Sequence, residues 1–196
     1  MKIIDLGKAV LLIFLIIFGV SLATALLLKI RPDWNEPFLK IIRDLLIIGS
    51  ILWYTLHAHL VQFRGLNFKL DGLALGVGLI VMIGSVLLEP DQGDSIKLLP
   101  YQVLQVLIFA PIMEEVICRG VIFGNYASEQ LVIATLVSTV LFVALHFSTN
   151  LIEIVEFVLI SLILCYVQFK TENVLNCIVL HSLLNLSLLI GSRFLQ

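Results

Sequence analysis

Long apolar stretches separated by short polar strings set the rhythm of this chain. With about 20 residues needed to cross a hydrocarbon core, the apolar runs predict about seven spans. They are Ala9 to Ile30, Phe38 to Leu60, Gly72 to Leu88, Leu98 to Asn125, Leu131 to Phe147, Leu151 to Phe169 and Val174 to Phe194. The runs show no period-2 alternation, and backbone groups in lipid must be satisfied within the segment, so the spans are helices rather than barrel strands. The expected fold is all-α, a polytopic transmembrane helical bundle. The strings between spans hold most of the charge: Arg31 to Pro37, Arg64 to Asp71 and Glu89 to Asp94. They leave no room for a second domain, so residues 1–196 read as a single membrane domain.

The first run follows Lys2 and Lys8 as a signal peptide would. It is longer than such a segment and lacks a small-x-small cleavage site before Lys29 and Arg31, so it reads as a retained first span. The Lys and Arg tally leans towards a cytoplasmic N-terminus. No internal repeat is visible, which counts against the inverted-repeat transporters. Gly72 with Gly76, and Gly120 with Gly124, are small residues four apart that let helices approach closely.

Composition agrees with the pattern. The chain is 60% hydrophobic and 13% charged, with a mean hydropathy of +1.11, whereas soluble domains hold about 25% charged residues. The protein is expected in a membrane as a multi-pass chain, the cell membrane if the host is bacterial, with the lipid bilayer as its first partner. A net charge of −2 leaves no basic stripe for nucleic acid. Cys118, Cys165 and Cys177 lie in apolar segments without Cys-x-x-Cys spacing, which suits buried packing.

Against this background one polar cluster stands out, in Phe109-Ala-Pro-Ile-Met-Glu-Glu-Val-Ile-Cys-Arg-Gly120. A charge in hydrocarbon costs roughly 3 kcal/mol on insertion scales, so ionisable residues there usually face a protein interior and serve a function. Glu115 and Arg119 are four apart on one helix face, acid first, and can pair. Glu114 is turned about 100° away from Glu115 and points elsewhere in the bundle. That leaves it as the carboxylate free to exchange a proton, as a general acid or base must. Pro111 removes a backbone donor and predicts a kink just before the two glutamates. The plain alternative is a buried charge cluster that only fixes helix register.

Two further segments carry chemistry. Phe142-Val-Ala-Leu-His146 closes the fifth span with Asn150 four residues on, and the seventh holds His181-Ser-Leu-Leu-Asn185. At i, i+4 spacing each His and Asn can share a helix face. Imidazole accepts a proton, orients water or binds metal, and His and Asn side chains can donate to an oxyanion. Taken singly, either histidine could equally be interhelical glue. His57 and His59, Arg43 and Asp44, and Glu153 and Glu156 are expected at the membrane boundary, the last pair also able to line a substrate entrance.

Glu-Glu-x-x-x-Arg at Glu114, Glu115 and Arg119, Phe-x-x-x-His at Phe142 to His146, and His-x-x-x-Asn at His181 to Asn185 together resemble the three motifs of the CPBP (Abi) intramembrane proteases. That family includes the type II CAAX prenyl endopeptidase. The resemblance covers about residues 98–189, a catalytic half; the first three spans match only as generic membrane helices. It implies a glutamate-type endopeptidase in which Glu114 and His146 activate the attacking water and His181 and Asn185 form the oxyanion hole. Glu115 with Arg119 would brace the site, Phe142 would pack beneath it and Asn150 would be an accessory polar group. The implied substrate is a peptide, a lipidated C-terminus or a membrane-protein segment.

No cofactor is expected on this reading. The alternative is a zinc metallopeptidase with Glu114, His146 and His181 as the three protein ligands of an open site. No His-Glu-x-x-His helix supports it. The competing function is non-enzymatic: a bacteriocin-immunity or scaffold protein, or a proton-coupled transporter with Glu114 as carrier.

Overall fold

The computed structural model describes residues 3–61, 72–88 and 99–194. The strings Arg64 to Asp71 and Glu89 to Asp94 lie outside the described residues. Among the described residues the regular structure is helical throughout, with no strand. The helices are α1 (Ile3–Ile30), α2 (Glu36–His57), α3 (Gly72–Leu88), α4 (Pro100–Leu145), α5 (Leu151–Thr171) and α6 (Val174–Phe194). Four contain stretches long and apolar enough to cross a bilayer: Gly7–Ile30, Pro100–Leu145, Leu151–Thr171 and Val174–Gly191, with the shorter apolar Gly72–Gly84 beside them. The protein is a multi-pass helical membrane protein.

The fourth and fifth apolar runs of the sequence belong to one long helix, α4, whose backbone breaks at Gln130 (φ −144°, ψ 68°). The break falls at the end of the polar string Asn125 to Gln130, where side chains gain least from hydrocarbon. One membrane domain over 1–196 is the expectation from sequence; the packing divides the chain into two compact units, Met1–Leu60 and Val61–Gln196.

In the first unit α1 packs along α2. Asn35 starts α2 by accepting the Phe38 amide on its side-chain oxygen (3.0 Å), with Pro37 in the first turn. His57 is exposed and stacks on Trp53 (5.5 Å between ring centres). Asp44 departs from its expected interfacial place: it is buried and accepts a 2.8 Å hydrogen bond from Arg43 Nε.

In the second unit α3 packs against α5 and α6, and α4 packs against both as well. The shared core is built from Ala74, Met82, Cys118, Phe142, Leu164, Cys177, Leu180 and Leu184. All three cysteines are free and buried. The close approaches fall partly elsewhere than the glycine pairs suggest. A Cβ on Gly78 would lie 2.8 Å from Leu184, and one on Gly120 would lie 2.7 Å from Val61, whereas Gly72 and Gly76 have open space. Glu172, left-handed at φ 50°, ends α5, and Asn173 starts α6 by accepting the Leu175 amide (3.2 Å). That tight turn holds α5 and α6 together as neighbours.

Candidate active site

The site is assembled from α4 and α6, with α5 behind it. Around Glu114 and Glu115 the helix is not regular: Gln105–Phe109 and Val116–Phe123 are π-helical, on either side of the short α-helical stretch Ala110–Glu115. The kink expected from Pro111 therefore takes the form of widened turns, a feature that recurs at functional sites.

The two glutamates diverge as helical phase requires. Glu115 is fully buried; its Oε1 accepts from Arg119 Nη1 at 3.2 Å and from His181 Nδ1 at 2.9 Å. Arg119, also fully buried, uses Nη2 on the Ser161 hydroxyl (2.8 Å) and carbonyl (3.1 Å), and Ser161 donates onward to Thr139 Oγ1 (3.1 Å). Its guanidinium lies over the Phe142 ring at 4.4 Å, a cation–π contact. The charge is thus met by a carboxylate, a hydroxyl, a carbonyl and an aromatic face, which is what an ion in a low-dielectric interior needs to stay charged.

Glu114 faces the histidines. Its Oε2 lies 3.8 Å from His146 Nε2 and 4.0 Å from His181 Nε2. Each ring is oriented through its other nitrogen: His146 Nδ1 donates to the Phe142 carbonyl (2.8 Å) and His181 Nδ1 to Glu115. A carbonyl only accepts, so His146 carries its proton on Nδ1, and when neutral it turns a bare Nε2 towards Glu114. His146 also lies against Phe142 (4.7 Å) and Phe157 (4.0 Å between ring centres). Side-chain exposure rises from Glu115 at 0% through Glu114 at 10% to His146 at 21%, so the approach to the cluster is on the His146 side.

His146 and Asn150 do not share a helix face. The helix stops at Leu145, with Phe147 left-handed at φ 50° just past His146. Asn150 is exposed and starts α5, its Oδ1 taking the Ile152 amide at 2.8 Å. His181 and Asn185 do share α6, and Asn185 Nδ2 donates to the Val106 carbonyl at 2.9 Å. Glu153 accepts from Ser148 near the start of α5, as a boundary residue would, but Glu156 is buried rather than interfacial. Ser161, Thr139 and Phe157 were not singled out in the sequence; serine and threonine are common in membrane helices and no local spacing ties them to Arg119.

Comparison with known proteins bears on the same region. Residues 96–187 match the family described as type II CAAX prenyl endopeptidase Rce1-like. The UPF0177 protein YxdF of Lactococcus lactis subsp. lactis (strain IL1403) is 30% identical over 109 residues, which covers 54% of this chain and 59% of that protein. The chain thus spans little more than half of that relative's length. No solved structure matches.

Proposed function

We propose that the chain, whose residues 96–187 match the type II CAAX prenyl endopeptidase Rce1-like family, is an intramembrane endopeptidase in which Glu114 activates the attacking water. One observation carries the reading: two histidine Nε2 atoms converge on one Glu114 oxygen, at 3.8 and 4.0 Å, inside an apolar bundle. Those separations are too long for direct hydrogen bonds. They suit a water held at about 2.8 Å from both partners with an angle near ~90°.

Glu114, as the carboxylate, takes a proton from that water while His146 Nε2 orients it. The water oxygen attacks the scissile carbonyl carbon, and the electron pair of the C=O bond moves onto oxygen. When the tetrahedral species collapses, the C–N bond breaks and the proton held at Glu114 passes to the leaving amine. His181 would meet the oxyanion. For His181 to donate from Nε2 while Nδ1 donates to Glu115, the ring must be the imidazolium, and Glu115 is then its counter-ion. Two carboxylates and one guanidinium leave a single negative charge in the cluster, which one proton on this ring cancels. The substrate class is a peptide or membrane-protein segment, with prenylated CAAX termini as the first to try given the family description.

A zinc reading draws on one specific feature. Both histidines donate Nδ1–H to a carbonyl or carboxylate and turn Nε2 to the same point, as metal-bound histidines do. Glu114, His146 and His181 would hold the ion, which would supply Lewis-acid activation of water. Their present spacing is wider than the ~3.3 Å between ligand atoms of a tetrahedral zinc site, and among the described residues no His, Cys, Asp or Glu trio is already spaced for metal.

The test uses the full chain in proteoliposomes with a farnesylated peptide ending in Cys-aliphatic-aliphatic-X. Cleavage is expected after stringent chelation, and is expected to be lost in Glu114→Gln, His146→Ala and His181→Ala. Cleavage that disappears on chelation and returns with zinc alone selects the metal route. Undiminished cleavage by all three variants overturns the peptidase assignment to this site.

A further inference from the structure

Asn185 is engaged in a contact that the hydrolytic roles above do not require. Its Nδ2 sits 2.9 Å from the Val106 carbonyl, on the helix that carries Glu114. In a helix that carbonyl would be taken by the amide of Ala110 in α register or of residue 111 in π register. Neither is available. The Ala110 amide donates to the Gln105 carbonyl, closing the π-helical turn of Gln105–Phe109. Residue 111 is proline, which has no N–H and is buried. A partly buried carbonyl without a donor is unfavourable, and most are paired by something. Here the partner is a side chain from another helix, 79 residues away in sequence.

We propose that Pro111, Val106 and Asn185 form one positioning device: Pro111 frees the Val106 carbonyl, and Asn185 occupies it, pinning the Glu114 helix to α6 in the widened register. This rests on the peptidase reading above and deepens it. Asn185 then acts as a positioning residue through one N–H, whatever its second N–H contributes. The consequence is geometric. Glu114 is three residues beyond Pro111 on α4, and His181 is one turn before Asn185 on α6. The Asn185–Val106 bond therefore fixes the spacing between the Glu114 carboxylate and the His181 ring, the 4.0 Å separation on which the water site depends.

The arrangement predicts a rescue. Asn185→Leu removes the donor at nearly constant volume and leaves the Val106 carbonyl orphaned. Adding Pro111→Ala returns a backbone amide, and in either helical register Val106 then has a donor. The full chain in detergent micelles is assayed for thermal midpoint and for turnover of the farnesylated peptide. Asn185→Leu is expected to lower the midpoint and to reduce kcat by about 10- to 100-fold, the scale of a misplaced catalytic group, with KM little changed. The double variant is expected to regain the midpoint and at least tenfold in kcat. If Asn185→Leu does not fold alone, recovery of a folded double variant is the supporting result, and failure of both to fold overturns the device. A double variant that regains its midpoint but not kcat also overturns it, because Asn185 would then act on the substrate rather than on the helix. Failure of the peptidase reading looks different: wild type and Glu114→Gln would give the same background cleavage, while the thermal cycle would still report on the Asn185 contact.

Discussion

Among the described residues, two arginine–carboxylate pairs of similar separation lie in opposite surroundings. Arg31 and Asp33, in the string after α1, are 2.9 Å apart with both side chains more than half exposed. Arg119 and Glu115, in α4, are 3.2 Å apart with neither exposed at all. In the first pair, the hydrogen bond from Arg31 holds the Asp33 carboxyl below the usual carboxylate range, and water remains free to replace either partner. In the second, every interaction lost must be replaced from within the protein. The comparison separates charge that decorates a loop from charge that organises a site. The buried pair recruits Ser161, Phe142 and His181, and through His181 it reaches the atom opposite Glu114.

The sharpest way to break the contrast is to remove one buried partner. Glu115→Ala or Arg119→Ala leaves an uncompensated charge and should cost about 3–5 kcal/mol, enough to unfold many marginal proteins. Denaturant titration in detergent would show it as a lost or strongly shifted unfolding transition. Ser161→Ala removes one hydroxyl from Arg119 while the Ser161 backbone carbonyl stays, and should cost about 1.5–3 kcal/mol. The same titration reads it, and Ser161→Thr should restore part of the loss.

Packing gives a smaller and graded effect. Gly78→Ala meets the Leu184 methyls and should destabilise by about 1–3 kcal/mol. Gly76→Ala, in open space two residues away, should be neutral or stabilising by up to ~1 kcal/mol through helix propensity. Smallest of all, Arg31→Ala should leave the thermal midpoint unchanged, and raising the salt concentration should not alter that result. A large effect at Arg31 would erase the distinction between the two pairs.

Much of this contrast is legible in the residues themselves. Glu115 and Arg119 at i, i+4, and Glu114 turned away from them, follow from helix geometry alone. The break between the fourth and fifth apolar runs falls at Gln130, within the polar string that marks it in the sequence. What is not legible is the tertiary completion. The Arg119–Ser161 bond spans 42 residues and the His181–Glu115 bond 66, and no local periodicity records either. Asn150 shows the opposite failure: its spacing from His146 fits a helix face, but a left-handed Phe147 ends the helix first, and Asn150 caps the next one. Asp44 and Glu156 are buried where a charged residue near a helix start reads as interfacial, because burial is decided by neighbouring helices and not by position along one.

The central claim is a division of labour between adjacent glutamates, Glu115 holding the bundle and Glu114 doing the chemistry. It is tested most directly by purified Glu114→Gln, with turnover of the farnesylated peptide and thermal midpoint measured on the same sample. Turnover should fall by at least about 100-fold, the lower end of general acid–base contributions, with the midpoint at its wild-type value. Wild-type turnover in Glu114→Gln, or a loss of turnover that only follows loss of the fold, would contradict the account.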